Sequence, residues 1–202
     1  MRNLAMRALA ATAFVALTVA AFATPPVPRK SPEFTSTDPS GKPILLSSLR
    51  GKIVVMPFMF TTCPHCQRYA QDLTQLQKEF GPRGVVFLGT VFNDANGAMA
   101  AQFQKEFNVG FPVGYATRDQ VVSYLGLSVL DRWVVPQVAI IDKKGNIVAQ
   151  SAATGSPELQ EPGSLRAILD KIVKDNATSS TSAPAAKTAA KTVAKSSTSK
   201  SN

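Results

Sequence analysis

The sequence has few of the side chains that bind metals or haem. Its 202 residues include two cysteines and one histidine. A tetrahedral zinc site needs four ligands, so these three residues leave such a site incomplete. Haem attachment requires a histidine directly after the second cysteine of a C-x-x-C pair, and Gln67 stands there instead. We therefore expect the protein to work without a metal or cofactor.

Acidic residues are also scarce, with 13 Asp and Glu against 22 Lys and Arg. Most of the resulting excess of positive charge lies at the two ends of the chain. The span from Thr24 to Asp175 carries 16 basic and 13 acidic residues in 152 positions. A body so close to neutral argues against nucleic-acid binding by the folded part. Its length is that of one ordinary domain with one core.

The first 23 residues are typical of an export signal. Arg2 and Arg7 supply positive charge, an uncharged run follows from Ala8 to Ala23, and the run ends in the small-x-small sequence Ala21-Phe22-Ala23. We expect cleavage before Thr24 and a periplasmic or secreted mature protein. The alternative is an uncleaved N-terminal membrane anchor, although the run is short for a span of about 20 apolar residues.

The last 27 residues, from Asn176 to Asn202, consist almost entirely of Ala, Ser, Thr and Lys. They have no aromatic side chain, so they cannot bury enough apolar surface to offset the entropy lost on ordering. We predict a disordered tail after a domain that spans residues 24–175. Its four lysines leave two interpretations open: an inert solvated tail, or a polycation that contacts the anionic cell envelope.

The body alternates between apolar runs and amphipathic segments, which predicts an α/β fold with a central mixed sheet flanked by helices. Expected strands are Ile53–Phe60, Val85–Phe92 and a closing hairpin of residues 138–142 and 147–150. Expected helices are Pro64–Phe80, Ala98–Phe107, Asp119–Leu125 and a last helix capped by Ser164.

Two local features of the first long strand and helix carry their own predictions. Pro57 cannot donate a hydrogen bond to a neighbouring strand, so we expect a bulge or weak pairing there. Thr61 or Thr62 is the expected N-cap of the helix that begins at Pro64, because a side-chain hydroxyl can accept from the first turn.

The two cysteines frame the motif Cys63-Pro64-His65-Cys66 at this strand-to-helix turn. Unpaired N–H groups and the positive end of the helix dipole favour a thiolate there. We expect Cys63 to be the exposed nucleophile and Cys66 to resolve the mixed disulfide, with a Cys63–Cys66 disulfide as the oxidised form. The alternative is an inert structural disulfide, although a bridge that closes so small a loop adds little stability.

His65 lies between the two thiols. It could donate a hydrogen bond or a positive charge to the Cys63 sulfur, which would favour the thiolate and make the pair a stronger oxidant. The alternative is an ordinary surface histidine.

Four segments together resemble the TlpA/ResA-type extracytoplasmic thioredoxins: residues 51–55, the Cys63–Cys66 motif, residues 84–89 and residues 135–145. The resemblance covers residues 31–174. It implies a thioredoxin-like fold, thiol–disulfide oxidoreductase activity, and a cis Pro136 that faces the cysteines. It also implies that the backbone of Val135 pairs with the substrate. Trp133 either lines the substrate groove or is a half-buried packing residue.

The sequence departs from the family pattern before the first cysteine. Thr62 replaces the usual aromatic residue, and Pro57 stands where a buried acid is common. Without that acid, Glu106, Asp94 or water would have to move the proton when Cys66 attacks.

The expected partners are cysteine-containing secreted proteins and a redox donor in the membrane. Two other functions remain open. A thiol peroxidase is one, because Pro57, Thr61 and Cys63 nearly match the spacing of such enzymes. A non-enzymatic copper-handling module is the other, because thiolates suit Cu(I).

Overall fold

A computed structural model describes residues 24–128, 130 and 132–181. The predicted signal peptide and the tail beyond Thr181 lie outside these residues. The strands are β1 (Arg29–Lys30), β2 (Thr35–Thr37), β3 (Pro43–Leu45), β4 (Ile53–Met59), β5 (Val85–Phe87), β6 (Gly89–Val91), β7 (Val113–Tyr115), β8 (Gln137–Ile141) and β9 (Asn146–Gln150). The helices are α1 (Pro64–Phe80), α2 (Gly97–Glu106), α3 (Arg118–Leu125), α4 (Pro157–Gln160) and α5 (Pro162–Thr181).

The strands form one mixed sheet in the order β1-β9-β8-β4-β6-β7-β2-β3, with β5 also paired to β4. The central strand β4 runs parallel to β5 and β6 and antiparallel to β8. The parallel pairs arise from helical crossovers, since α1 links β4 to β5 and α2 links β6 to β7. The carboxyl end of β4 therefore leads directly into α1 near the middle of the sheet.

The sheet has a hydrophobic core on each face, which explains why β4 is apolar at every position and buried throughout. Ile53, Val55 and Met59 face one core, which α1, α2 and α5 cover. Val54, Met56 and Phe58 face a second core, which is covered by α3 and the segment before β2. This alternation fixes the register of β4, because a shift by one residue would exchange the two faces.

Pro57 lies inside β4, opposite Val138 of β8, and no bulge occurs at this point. The N–H and C=O of Val138 both bond to Ser151 on the far side of β8. The backbone of Pro57 therefore points toward β5 and β6. The ladder on that side is interrupted at Leu88, between β5 and β6. The expected weak pairing thus occurs on one side of the strand only, where the missing N–H would have donated.

Several boundaries differ from the expectations. The strand expected over residues 85–92 is split into β5 and β6, and the short elements β1, β2 and α4 were not anticipated. Helix α5 begins at Pro162, two residues before the expected cap at Ser164, and continues to Thr181. The first six residues of the expected disordered tail are therefore helical. Within the described residues, no helix combines the length and apolar character required to cross a membrane.

Candidate active site

The turn from β4 into α1 places Cys63 at the N-cap of the helix. Its backbone is extended, with φ −88° and ψ 116°, and Pro64 is the first helical residue. No side chain caps the helix, so the expectation that Thr61 or Thr62 would do so is wrong. Because no side chain accepts from the first turn, the positive end of the helix dipole lies uncompensated at Cys63.

Two amide side chains hold the turn in place. Asn93 accepts from the Thr61 backbone N–H at 3.0 Å and donates to the Thr61 hydroxyl at 3.0 Å. Gln67 reaches back from α1 and donates to the Thr61 carbonyl at 2.9 Å. Asn93 follows β6, the strand next to β4. The position of Cys63 is therefore fixed from both the sheet and the helix.

The two cysteines have different environments. Cys63 is partly exposed, whereas Cys66 is completely buried, and both are present as thiols. Burial raises the pKa of the Cys66 thiol well above its usual range, and the adjacent Cys63 adds to this shift. Cys66 is therefore a neutral thiol near neutral pH. This arrangement suits one accessible sulfur that reacts first and one protected sulfur that reacts second.

The loop before β8 approaches the cysteines from the other side. The Val135–Pro136 peptide bond is cis. The Cys63 sulfur lies 3.9 Å from the Val135 carbonyl oxygen, a long contact in which the thiol donates. Pro136 is buried and Val135 is half-buried. The fold thus brings Cys63, Val135 and Pro136 together, although 72 positions separate the first two in the chain.

A groove of about 590 Å³ runs along the start of α1 and past this loop. Val134, 46% exposed, contributes an apolar wall. Charged side chains of both signs also border the groove. The lining residues are His65, Arg68, Tyr69, Asp72, Val134, Val135, Pro136, Gln160, Glu161 and Pro162.

His65 is exposed, and its ring contacts Arg68 one turn further along α1. The two nitrogens, Nδ1 of His65 and a guanidinium nitrogen of Arg68, are 3.2 Å apart. Because a guanidinium can only donate, Nδ1 accepts in this arrangement. Within the described residues, His65 makes no hydrogen bond to the Cys63 sulfur. Its influence on that sulfur stays a prediction.

Trp133 is half-buried beside the second core. Its ring stacks on Phe92 with centroids 5.7 Å apart and meets Phe60 edge-on at 6.1 Å. The guanidinium of Arg118 lies over the indole at 4.8 Å. These contacts show a packing role, and the substrate role that was the other interpretation stays a prediction.

The residues suggested for proton transfer, Glu106 and Asp94, are both exposed. Glu106 borders a second, smaller pocket with Thr62 and Gln67, so it lies on the side of the cysteine turn away from the groove. Asp94 lies in a separate pocket with Tyr115 and Arg118. Their part in proton transfer stays a prediction.

Sequence reasoning missed four amide residues that shape the site: Gln67, Asn93, Gln137 and Gln160. Asn93 could have been found, because polar residues that follow a parallel strand meet at the same edge of the sheet. Gln137, the residue after Pro136, is a polar side chain in an otherwise apolar strand. Nothing in the sequence marks Gln160, which reaches the site through α4.

Comparisons with known proteins agree with this arrangement. A model of the AhpC/TSA family matches residues 27–150. Thiol-disulfide oxidoreductase ResA of Bacillus thuringiensis (strain Al Hakam) is 27% identical over 122 residues, which cover 60% of this chain and 67% of ResA. ResA of Bacillus subtilis (strain 168) is 30% identical over 118 residues, or 58% and 63% of the two chains.

Among solved structures, the chain resembles a thiol:disulfide interchange protein of the thioredoxin family from Chlorobium tepidum TLS. The TM-score is 0.60 at 25% identity, and the match covers 74% of this chain and 99% of that protein. The expected thioredoxin-like α/β fold and the resemblance to the TlpA/ResA-type proteins are thereby confirmed.

Proposed function

Because the chain belongs to the AhpC/TSA family, we propose that it exchanges disulfides with secreted proteins through Cys63 and Cys66. The broader class, a thiol–disulfide oxidoreductase, is that of its named relatives. The observation that carries the proposal is the placement of Cys63. Its sulfur lies at the uncapped start of α1, partly exposed, and contacts the backbone of Val135 on the cis-proline loop.

The exchange has two steps. The Cys63 thiolate attacks one sulfur of a substrate disulfide, the substrate S–S bond breaks, and one substrate sulfur leaves as a thiolate. Cys66 then loses its proton and attacks the Cys63 sulfur, which releases the second substrate sulfur and forms the Cys63–Cys66 disulfide. Two electrons pass to the substrate. The same steps in reverse oxidise a substrate dithiol.

The buried Cys66 sets the timing of the second step. Its raised pKa keeps the thiol protonated until the mixed disulfide has formed. The substrate thiolate released in the first step is a base near the site and can accept this proton. Such a route needs no buried acid in β4, where Pro57 stands.

Opposite influences act on the direction of exchange. A histidine between the thiols favours oxidation if it donates to Cys63. In the structure its Nδ1 instead accepts from Arg68. A reduction potential below about −200 mV would identify a reductant, and one near about −120 mV an oxidant.

The location and partners belong to the same proposal. The signal-like residues 1–23 support an extracytoplasmic location, where secreted proteins with cysteines are the substrates and a membrane redox donor recycles the site. The lysine-rich residues 176–202 are either an inert solvated tail or a polycation that contacts the anionic envelope.

Trapping of the mixed disulfide tests the proposal. A Cys66→Ser variant should accumulate covalent complexes with secreted proteins, because nothing resolves the bond at Cys63. These complexes should disappear on reduction and should be absent from a Cys63→Ser variant, which is matched in size and chemistry. Equal trapping by both variants, or by neither, would contradict the proposed roles.

The same variants distinguish disulfide exchange from the other two functions, a thiol peroxidase and a copper-handling module. A thiol peroxidase would consume hydrogen peroxide much faster than free cysteine does, and Cys63→Ser would abolish this. A copper-handling module would bind Cu(I) tightly without reducing any protein disulfide.

A further inference from the structure

Two glutamine side chains hold the cis-proline loop in place from opposite sides. Gln137, the first residue of β8, is completely buried. Its amide nitrogen lies 2.8 Å from the Val134 carbonyl oxygen and 3.2 Å from the carbonyl oxygens of Ala152 and Ala153. Because carbonyl oxygens only accept, the nitrogen of the amide must face all three.

Gln160 acts on the other flank of the loop. It ends α4, and its amide nitrogen donates to the Pro136 carbonyl at 2.7 Å. The carbonyls before and after Val135 are therefore both engaged by glutamines. The Val134 N–H is engaged as well, since it donates to Ala153 at 3.0 Å.

Val135 is the exception in this loop. Its carbonyl has only the long contact to the Cys63 sulfur, and no acceptor for its N–H exists among the described residues. When Cys63 loses its proton, the contact to the Val135 carbonyl loses its donor. The backbone of Val135 then has one free donor and one free acceptor beside the reacting sulfur, at the edge of the groove.

The orientation of Gln137 carries a cost. Its amide oxygen is buried and has no hydrogen-bond partner. An unpartnered buried acceptor loses its hydration without compensation. A leucine or methionine would fill the same space without that cost. We therefore attribute the presence of a glutamine at position 137 to the contacts that its nitrogen makes with the loop.

From this geometry we propose that Gln137 and Gln160 are positioning residues for polypeptide substrates. By fixing the carbonyls on both sides of Val135, they hold its backbone in the orientation that pairs with an extended substrate chain while Cys63 attacks the disulfide. The inference rests on the proposed function and deepens it. The predicted substrate is an extended polypeptide recognised through its backbone, not a small disulfide.

Methionine substitutions test this role. Gln137→Met and Gln160→Met keep the length of the side chain and remove the amide, and Gln75→Met, on the exposed face of α1, is the matched control. The rate of reduction by each reduced protein is measured with a short peptide dimer joined by one disulfide. A parallel series uses bis(2-hydroxyethyl) disulfide, which has no peptide backbone.

We expect Gln137→Met and Gln160→Met each to react about tenfold more slowly with the peptide disulfide, since pairing at Val135 is weakened. The rate with bis(2-hydroxyethyl) disulfide should stay within about twofold of wild type, because that reaction needs the two thiols but no backbone pairing at Val135. Gln75→Met should match wild type with both substrates. Equal losses with both disulfides, or no loss with either, would overturn the inference.

Gln160 also lines the groove, so its loss could act through direct contact with the peptide. Hydrogen exchange at the Val134 amide separates the two cases. Loosening of the loop should speed exchange there in Gln160→Met, and unchanged exchange would assign Gln160 to direct contact and overturn its positioning role. Because this measurement is made on Gln160→Met, it still tests the positioning role if Gln137→Met fails to fold. A wild-type protein that does not react with the peptide disulfide would refute the proposed function itself.

Discussion

Replacing Trp133 by alanine separates its two possible roles. Two aromatic pairs, with Phe92 and Phe60, are each worth about 0.5–1.5 kcal/mol. The Arg118 guanidinium over the indole adds about 0.5–1 kcal/mol at this exposed position. Together these contacts predict that Trp133→Ala lowers the free energy of unfolding by about 1.5–4 kcal/mol. In a domain of this size, that corresponds to a fall in Tm of about 3–16 °C.

Guanidinium unfolding of the reduced protein, followed by circular dichroism, measures this loss. Trp133→Phe should recover much of it, because a ring remains against Phe92. Leu130→Ala is the control, since Leu130 is 83% exposed and should change stability by less than about 0.5 kcal/mol. The peptide reaction rate of the folded Trp133→Ala protein should stay near wild type. A large loss of rate with unchanged stability would refute the packing assignment and favour contact with substrate.

Two further predictions concern the buried thiol and the packing of the sheet. Burial raises the pKa of Cys66, so above about pH 8.5 the unfolded chain loses this proton while the folded protein keeps it. Stability of the reduced protein should therefore fall as pH rises through that value, by up to about 1.4 kcal/mol per pH unit, and Cys66→Ser should lessen the fall. Urea titrations from pH 7 to pH 10 measure both slopes, and equal slopes would contradict the assignment. Gly114→Ala should destabilise by about 1–3 kcal/mol, because its Cβ would collide with Ser36 and the backbone of Thr37. A Cβ added at Gly163 would meet no atom within 4 Å, so Gly163→Ala should leave the stability unchanged. Thermal unfolding of the two variants measures this difference.

The choice between oxidant and reductant depends on contacts that the motif alone does not specify. The position of His65 between two cysteines favours an oxidant, because a donor near Cys63 stabilises the thiolate. In the fold, Arg68 lies one helical turn away and donates to the same ring. Residues three positions apart are close in any helix, but whether their side chains contact each other depends on the surrounding groove.

Local patterns predicted most of the elements, because their causes are local. The apolar spacing of α1 and the stop signal after Phe80 place both ends of that helix correctly. The hairpin of β8 and β9 follows from two largely apolar runs on either side of a glycine turn, where Gly145 adopts φ 80°. The sequence did not predict the short strands β1 and β2, because a segment of two or three residues is too short to show a hydrophobic period. They form only where another strand edge is available.

By itself, the sequence determined the position of the cysteine pair, the helix that carries it and the class of fold, since spacing, helix signals and hydrophobic periodicity all act within a short stretch of chain. Only the tertiary structure decided which sulfur is buried, what side chain His65 contacts, and how the Val135 loop is held. These features depend on residues that are distant in the chain, such as Cys63 with Val135, or Gln160 with Pro136. Their contacts exist only after the sheet and helices have packed.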